Sequence, residues 1–316
     1  MNYLLHVGMP QSASTFLQDV LFPGCPELNF ISNRKSQNLK AFYNPLCSHE
    51  DYFWSEPAAS SWLGEASDPT KLNVVSFEKF SCTTELSRQQ VAERLGRLCP
   101  GAKCLIVVRN QLDAIVSAYA QHARVPNLLL PPFADHFELN IRDPKAAEFR
   151  RYFYDEFVGT YERLFGADAV LVLPYELLAS EGPQFVERVC EFAGIAAPPA
   201  IDRVKVNKRV SANYVALRRI AQNVASPETL RRAWLGLPYP LRQKIKALSN
   251  RGRRFAPTLS DGQKLAVAAA FGPSNEKLSK RHGLQLAERY SYPSAATDAA
   301  ENAAPALGDG AVLKVA

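Results

Sequence analysis

The chain has 316 residues, 47% hydrophobic and 22% charged, which suits a soluble globular protein with the core of one large domain or two modest ones. No apolar run approaches the roughly 18 to 20 residues that span a membrane, and the opening MNYLLHVGMP lacks the basic start and small-residue cleavage site of a secretory signal, so the expected location is cytoplasmic. Charge is segregated: residues 203–254 hold fourteen Lys and Arg against one acid, Glu228, a net +13 in a chain of +6, so the rest is net −7.

In chain order, Asn2–Val7 reads as a buried strand ending at Gly8, and Ser14–Leu21 as the start of a helix with Ser12 or Ser14 as N-cap. Residues 23–68 are rich in aromatics and Pro and read as loops and short helices. Leu72–Ser76 is the second expected strand, Leu86–Leu98 an amphipathic helix, and Lys103–Val108 the third strand. Helices follow over Asn110–Arg124 and Pro144–Phe165, then a fourth strand at Ala169–Leu173 and a helix at Pro183–Phe192. Beyond Val204 the chain reads as helical, including Leu259–His282. Short apolar strands alternating with helices predict an α/β class with a parallel sheet covered on both faces. From about residue 291 the sequence is Ala-rich without periodicity, the composition of a disordered tail.

The six cysteines (Cys25, Cys47, Cys82, Cys99, Cys104, Cys190) form no CxxC pair, and the five histidines are scattered. The pattern predicts buried reduced thiols, with no zinc site and no disulfide framework.

The segment LLHVGMPQSASTFLQ runs strand, glycine turn, hydroxyl cluster, helix. Such a turn presents backbone N–H groups beside the positive end of the helix, and Ser12, Ser14 and Thr15 add hydroxyl donors. It suits a phosphate or sulfate without a metal; it also suits a hydroxyl-rich helix cap. It is not a Walker A sequence. In LIVVRNQLDAIVSAYAQHAR, Arg109 ends a strand and Ser117 stands eight residues on, about two helical turns, so guanidinium and hydroxyl can converge on one phosphate. Arg109 would otherwise be a surface cap or ion-pair partner.

The loop Gly8–Leu17 resembles the 5′-phosphosulfate loop of the sulfotransferase family, with two departures: Ala13 stands for a glycine and Gln11 for the lysine. The substitution at Ala13 is mild if the backbone there has negative φ. Arg109 with Ser117 resembles the family's 3′-phosphate element. The stretches VVSFEKFS, AVLVLPYELLAS, VNKRVSANYVALRR and AFGPSNEKLSKRHGL resemble bacterial sulfotransferases in particular, so the likeness spans about residues 1–290, with the basic segment 203–256 inside that domain and 291–316 as the tail. It implies a P-loop-like three-layer fold and transfer of a sulfuryl group from 3′-phosphoadenosine 5′-phosphosulfate to a hydroxyl or amine, such as a carbohydrate or lipid-linked glycan. No prosthetic group or metal is implied. Pro10, Gln11, Ser12, Ala13, Ser14, Thr15 and Phe16 would hold the phosphosulfate, Arg109 and Ser117 the 3′-phosphate, with Lys208 and Arg209 as a second basic element.

Glu78 follows the strand LNVVS and is the candidate base, in a Ser-x-Glu arrangement resembling bacterial relatives; a solvated loop glutamate is the alternative. His122 is the rival base, and His6 reads as structural. Gln11 brings no positive charge to the leaving oxygen, which leaves a catalytically impaired, binding-only relative as the second reading and a small-molecule kinase as the third. The aromatics Phe42, Tyr43, Tyr52, Phe53, Trp54 and Trp62 are either acceptor-stacking faces or packing anchors. Leu241, Ile245 and Leu248 beside Arg242, Lys244 and Lys246 form a basic amphipathic pattern suited to an anionic membrane or to a packed helix with solvated charges. No nucleic-acid module is recognisable.

Overall fold

The computed structural model describes residues 1–31, 39–81, 86–123, 130–198, 211–249, 251–253, 255–290 and 292. Five parallel strands form one sheet in the order β2-β3-β1-β4-β5. They are β1 (Tyr3–His6), β2 (Leu28–Ile31), β3 (Leu72–Ser76), β4 (Lys103–Val108) and β5 (Val170–Pro174). β1 is central, with Leu4 beside Lys103 of β4 and Tyr3 beside Asn73 of β3.

The apolar runs are continuous because both sheet faces are covered. On one face Leu5, Val7, Cys104, Ile106 and Val108 pack with Phe157, Tyr161 and Phe271. On the other, Leu4, Leu105 and Val107 pack with Phe16, Leu17, Phe185 and Val189. Side chains alternate along each strand, so Leu4 and Leu5 serve opposite cores. This is the expected three-layer α/β arrangement.

The helices in chain order are α1 (Ser14–Phe16) and α2 (Phe22–Gly24), joined by a π turn at Leu17–Leu21 into one helical run, then α3 (Leu39–Ser48), α4 (Glu56–Ala66), α5 (Arg88–Leu98), α6 (Gln111–His122), α7 (Phe133–Ile141), α8 (Tyr154–Phe165), α9 (Tyr175–Ser180) and α10 (Gly182–Ala193). The C-terminal part holds α11 (Ala212–Val224), α12 (Pro227–Gly236), α13 (Tyr239–Ser249), α14 (Asp261–His282) and α15 (Leu286–Tyr290). Local chemistry sets several starts. Ser87 with Gln90, and Ser260 with Gln263, form capping boxes for α5 and α14. Asn110 caps α6 by accepting from the Leu112 N–H at 3.0 Å.

Three expectations are corrected. Residues 23–68 contain a strand, β2, as well as helices; its four residues at the sheet edge are buried only at Leu28 and Ile31, too short a pattern to stand out. The helix expected over Pro144–Phe165 is a 3₁₀ turn, Glu148–Tyr152, followed by α8. Phe133–Ile141, read as part of no element, is helix α7. The expected tail over 291–316 lies, apart from Tyr292, outside the described residues.

α14 returns to pack on α8 and α6. Behind Arg109, buried Gln111 donates to Asn275 Oδ1 at 2.9 Å and Asn275 donates back to Gln111 Oε1 at 3.1 Å. A mutual amide pair inside apolar packing fixes the first turn of α6, because misplacing either partner leaves a buried polar group unsatisfied. Among the described residues no helix is long and apolar enough to cross a membrane.

Candidate functional site

The loops leaving β1 and β4 meet, since those strands are sheet neighbours, and carboxyl ends of parallel strands are where open α/β sheets gather ligands. Ladder bonds to β4 continue past the end of β1: the Met9 N–H donates to Val107 O and the Val107 N–H to Gly8 O, each at 2.9 Å. At Gly8 φ is +109°, and a Cβ would collide with Ser81 Oγ and stand 3.6 Å from Glu78 O. The 3₁₀ turn Glu78–Ser81 after β3 is therefore seated directly against the loop. Glu78, half-buried, lies on that turn.

Gln11 is the meeting point. Its carbonyl accepts from Arg109 Nη1 at 2.8 Å, its side-chain Oε1 accepts from Ser117 Oγ at 3.3 Å, and its Nε2 donates to Gln121 Oε1. Arg109 and Ser117 therefore both bond to Gln11, one at its backbone and one at its side chain, and that residue comes from the first loop. The Arg109 guanidinium also lies 4.7 Å over the Tyr175 ring, and the Tyr154 hydroxyl donates to Arg109 O at 2.8 Å. Glu176 accepts from the Asn110 N–H at 2.9 Å; burial raises its carboxyl above the ordinary glutamate range, against the opposing pull of that bond and of Arg109.

The loop backbone differs from the expectation at two points. Ala13 has φ +64°, as does Gln11, so the alanine-for-glycine change costs strain that only a negative φ would have avoided. Ala13, not Ser12 or Ser14, is the N-cap of α1, with no side-chain cap bond. Phe16 is 2% exposed and edge-on to Phe185, so its ring serves the core. Ser12 is buried at the turn, and Thr15 is half-buried.

Of the site residues described, Ser14 Oγ, Arg109 Nε and Glu176 Oε2 are buried without a partner among the described residues. Unmatched buried polar groups are costly; the Ser14 hydroxyl and the Arg109 N–H are donors that suit an anion such as a phosphate or sulfate, while the Glu176 oxygen is an acceptor that suits a donor. Lys208 and Arg209 lie outside the described residues.

The remaining candidates sort by burial. His6 is fully buried with Nδ1 2.6 Å from Ser76 Oγ, and burial pushes its imidazole down to about 3; it is structural. His122 points to Glu148, 3.5 Å away. Phe42, stacked on Trp62 at 4.7 Å, and Tyr43, stacked on Phe77 at 4.2 Å, are core residues, while Trp54 lies under the Arg94 guanidinium; these are packing anchors. Tyr52 and Phe53 remain exposed. Sequence reasoning missed Gln121 and Tyr175, whose roles depend on partners 110 and 66 positions away; Tyr175 lies within the quoted stretch AVLVLPYELLAS, but nothing local marks it as a cation–π partner.

The sequence matches the sulfotransferase family model over residues 4–199. No curated protein matches it. The structure is similar to a sulfotransferase from Alicyclobacillus acidocaldarius, with a TM-score of 0.48 and 18% identity over 72% of this chain and 98% of that one. It is also similar to the sulfotransferase domain of an olefin synthase from Synechococcus PCC 7002, at TM-score 0.38 and 15% identity over 62% and 74% of the two chains. A mouse sulfotransferase complexed with PAP gives TM-score 0.39 and 14% identity over 71% and 63%.

Proposed function

The chain belongs to the sulfotransferase family, and from that membership we propose that it moves a sulfuryl group from 3′-phosphoadenosine 5′-phosphosulfate to a hydroxyl or amine acceptor, such as a carbohydrate or lipid-linked glycan. The observation that carries this reading is the junction at Gln11, where the loop after β1 meets Arg109 and Ser117 beside two unmatched buried donors.

In this reading the loop from Pro10 through Gln11, Ser12, Ala13, Ser14, Thr15 and Phe16 cradles the 5′-phosphosulfate with first-turn N–H groups and hydroxyls. Arg109 and Ser117 hold the 3′-phosphate, Arg109 by charge-assisted bonds, and Lys208 and Arg209 add charge. Glu78, on the turn packed against Gly8, takes the acceptor proton. The acceptor oxygen or nitrogen then bonds to sulfur as the bond from sulfur to the bridging phosphate oxygen breaks, and the leaving nucleotide keeps that electron pair. Catalysis is mostly positioning and electrostatic stabilisation, as in phosphoryl transfer. Gln11 supplies neutral hydrogen bonds in place of a lysine's charge, which slows departure of the nucleotide unless another cation serves.

A peripheral contact with an anionic membrane is part of this proposal. The stripe expected at Leu241, Ile245 and Leu248 falls on α13, with Leu241 exposed, Ile245 half-buried and the side chains of Lys246 and Leu248 outside the described ones. On α11 the residues Leu217, Ile220 and Val224, spaced three and four apart, are also exposed, at 66%, 62% and 81%, while Val215 and Arg218 face inward. An aliphatic stripe on a basic helical segment suits a lipid surface.

The test is transfer from a sulfur-labelled donor to a panel of hydroxyl and amine acceptors in chelator-treated buffer. Labelled product without Mg²⁺ supports the proposal. Tight nucleotide binding with no product on any acceptor favours the binding-only reading, and phosphoryl transfer requiring ATP with Mg²⁺ overturns it in favour of a kinase.

A further inference from the structure

His122, His136 and Glu148 are scattered in sequence, yet the fold brings one donor atom from each within 4.8 Å of the others. His122 is the last residue of α6, His136 lies in the middle of α7, and Glu148 opens the 3₁₀ turn before α8. His122 Nε2 stands 3.5 Å from Glu148 Oε1, and His136 Nε2 stands 3.9 Å from Oε2. Three donors bound to one cation at about 2.0–2.2 Å each sit some 3–4 Å apart, so donors that already lie within 4.8 Å of one another reach that spacing by side-chain adjustment alone.

The trio is held by its backbone. Buried Asn140 donates to His136 O at 2.7 Å and accepts from the Glu148 N–H at 3.0 Å, so a single side chain spans the two ligand-bearing segments. Arg218 of α11 donates to His122 O at 2.9 Å and to Ala123 O at 2.7 Å, fixing the end of α6. The His136 ring packs against Tyr119 and Phe149. Arg151 donates to Glu148 Oε1 at 2.6 Å, which leaves Oε2 as the oxygen facing His136. The side chains are 30%, 11% and 25% exposed for His122, His136 and Glu148, so one side stays open to water.

We propose that His122, His136 and Glu148 form a binding site for a zinc-class divalent cation, with two imidazoles and one carboxylate as ligands and water completing the shell. Two nitrogens and one oxygen with an open position are a zinc-type donor set, unlike the oxygen cages of calcium or magnesium. The site clamps the end of α6 to α7 and the 3₁₀ turn, and α6 also carries Ser117 and Gln121, the two partners of the Gln11 side chain. The clamp stands apart from the sulfuryl-transfer reading and takes no part in its chemistry.

The test uses the full chain, stripped with chelator and titrated with Co²⁺ as a spectroscopic probe, then with Zn²⁺ in competition. One Co²⁺ per chain, with a d–d absorption band displaced by Zn²⁺, is expected. H122Q and H136Q should each weaken binding by at least about tenfold. His122 is the most exposed of the three, so H122Q, checked by its metal-free melting temperature, separates ligand loss from misfolding. The absence of a stoichiometric band in the parent, or a band that survives unchanged in both variants, overturns the proposal.

Discussion

Arg109 Nη1 donates to the Gln11 carbonyl at 2.8 Å, joining the end of β4 to the loop after β1. With its Nε buried and unmatched, the guanidinium is oriented by one neutral acceptor and still has donor capacity to offer. Under the proposed function it reads the 3′-phosphate. Calorimetry should show 3′-phosphoadenosine 5′-phosphate binding far more tightly than AMP, and Arg109→Ala should lose about 1.5–3 kcal/mol of that preference, roughly ten- to a hundred-fold. Equal affinity for the two nucleotides in the parent protein would sink the assignment.

Gln11 offers amide bonds to Ser117 and Gln121 where the family loop has a lysine. Gln11→Lys should raise turnover at saturating donor, toward the hundred-fold worth of a preorganised charged donor, with acceptor KM little changed. A fall in turnover would show that another cation already serves the leaving oxygen.

Ala13 holds a left-handed conformation, φ +64°. Glycine adopts it without the Cβ clash, so Ala13→Gly should stabilise the fold by up to about 1 kcal/mol, the strain relief exceeding the entropy that glycine adds to the unfolded chain. Urea unfolding of the two proteins measures it; a destabilised glycine variant contradicts the strain.

His6 gives a pH signature. Its imidazole is held down to about 3 by burial, against 6.5 unfolded. Between those values the unfolded chain binds a proton that the folded chain refuses. This contribution to stability is therefore whole above pH 6.5 and is lost as pH falls toward 3, at up to about 1.4 kcal/mol per pH unit. Urea titrations across that range should show a shallower acid loss in His6→Gln; an identical slope assigns the loss to other groups.

The α11 stripe can be tested without touching the core. Sedimentation with anionic vesicles at low salt should retain the parent protein and release it at high salt, and serine at Leu217, Ile220 and Val224 together should cut retention several-fold. No retention of the parent at low salt removes the membrane contact.

The sequence by itself determined the elements whose signals are local. Leu72–Ser76 and Lys103–Val108 were legible to the residue because strands buried on both faces must be apolar throughout. The glycine turn after β1 and the Arg109–Ser117 spacing were legible because each sits within one strand–helix unit. Tertiary structure alone decided what those units meet. The order β2-β3-β1-β4-β5 puts β4 beside β1, and only that adjacency sets Gln11 between Arg109 and Ser117. The positive φ at Ala13 belongs to the path of the loop from β1 into α1, and alanine as a residue type does not announce it. β2 leaves no signal in the sequence because a four-residue edge strand buries too few side chains to make a pattern. The approach of His122, His136 and Glu148 depends on α6, α7 and a 3₁₀ turn folding onto one another. Residue spacing encodes periodicity along one element; contacts between elements depend on chain paths that periodicity does not record.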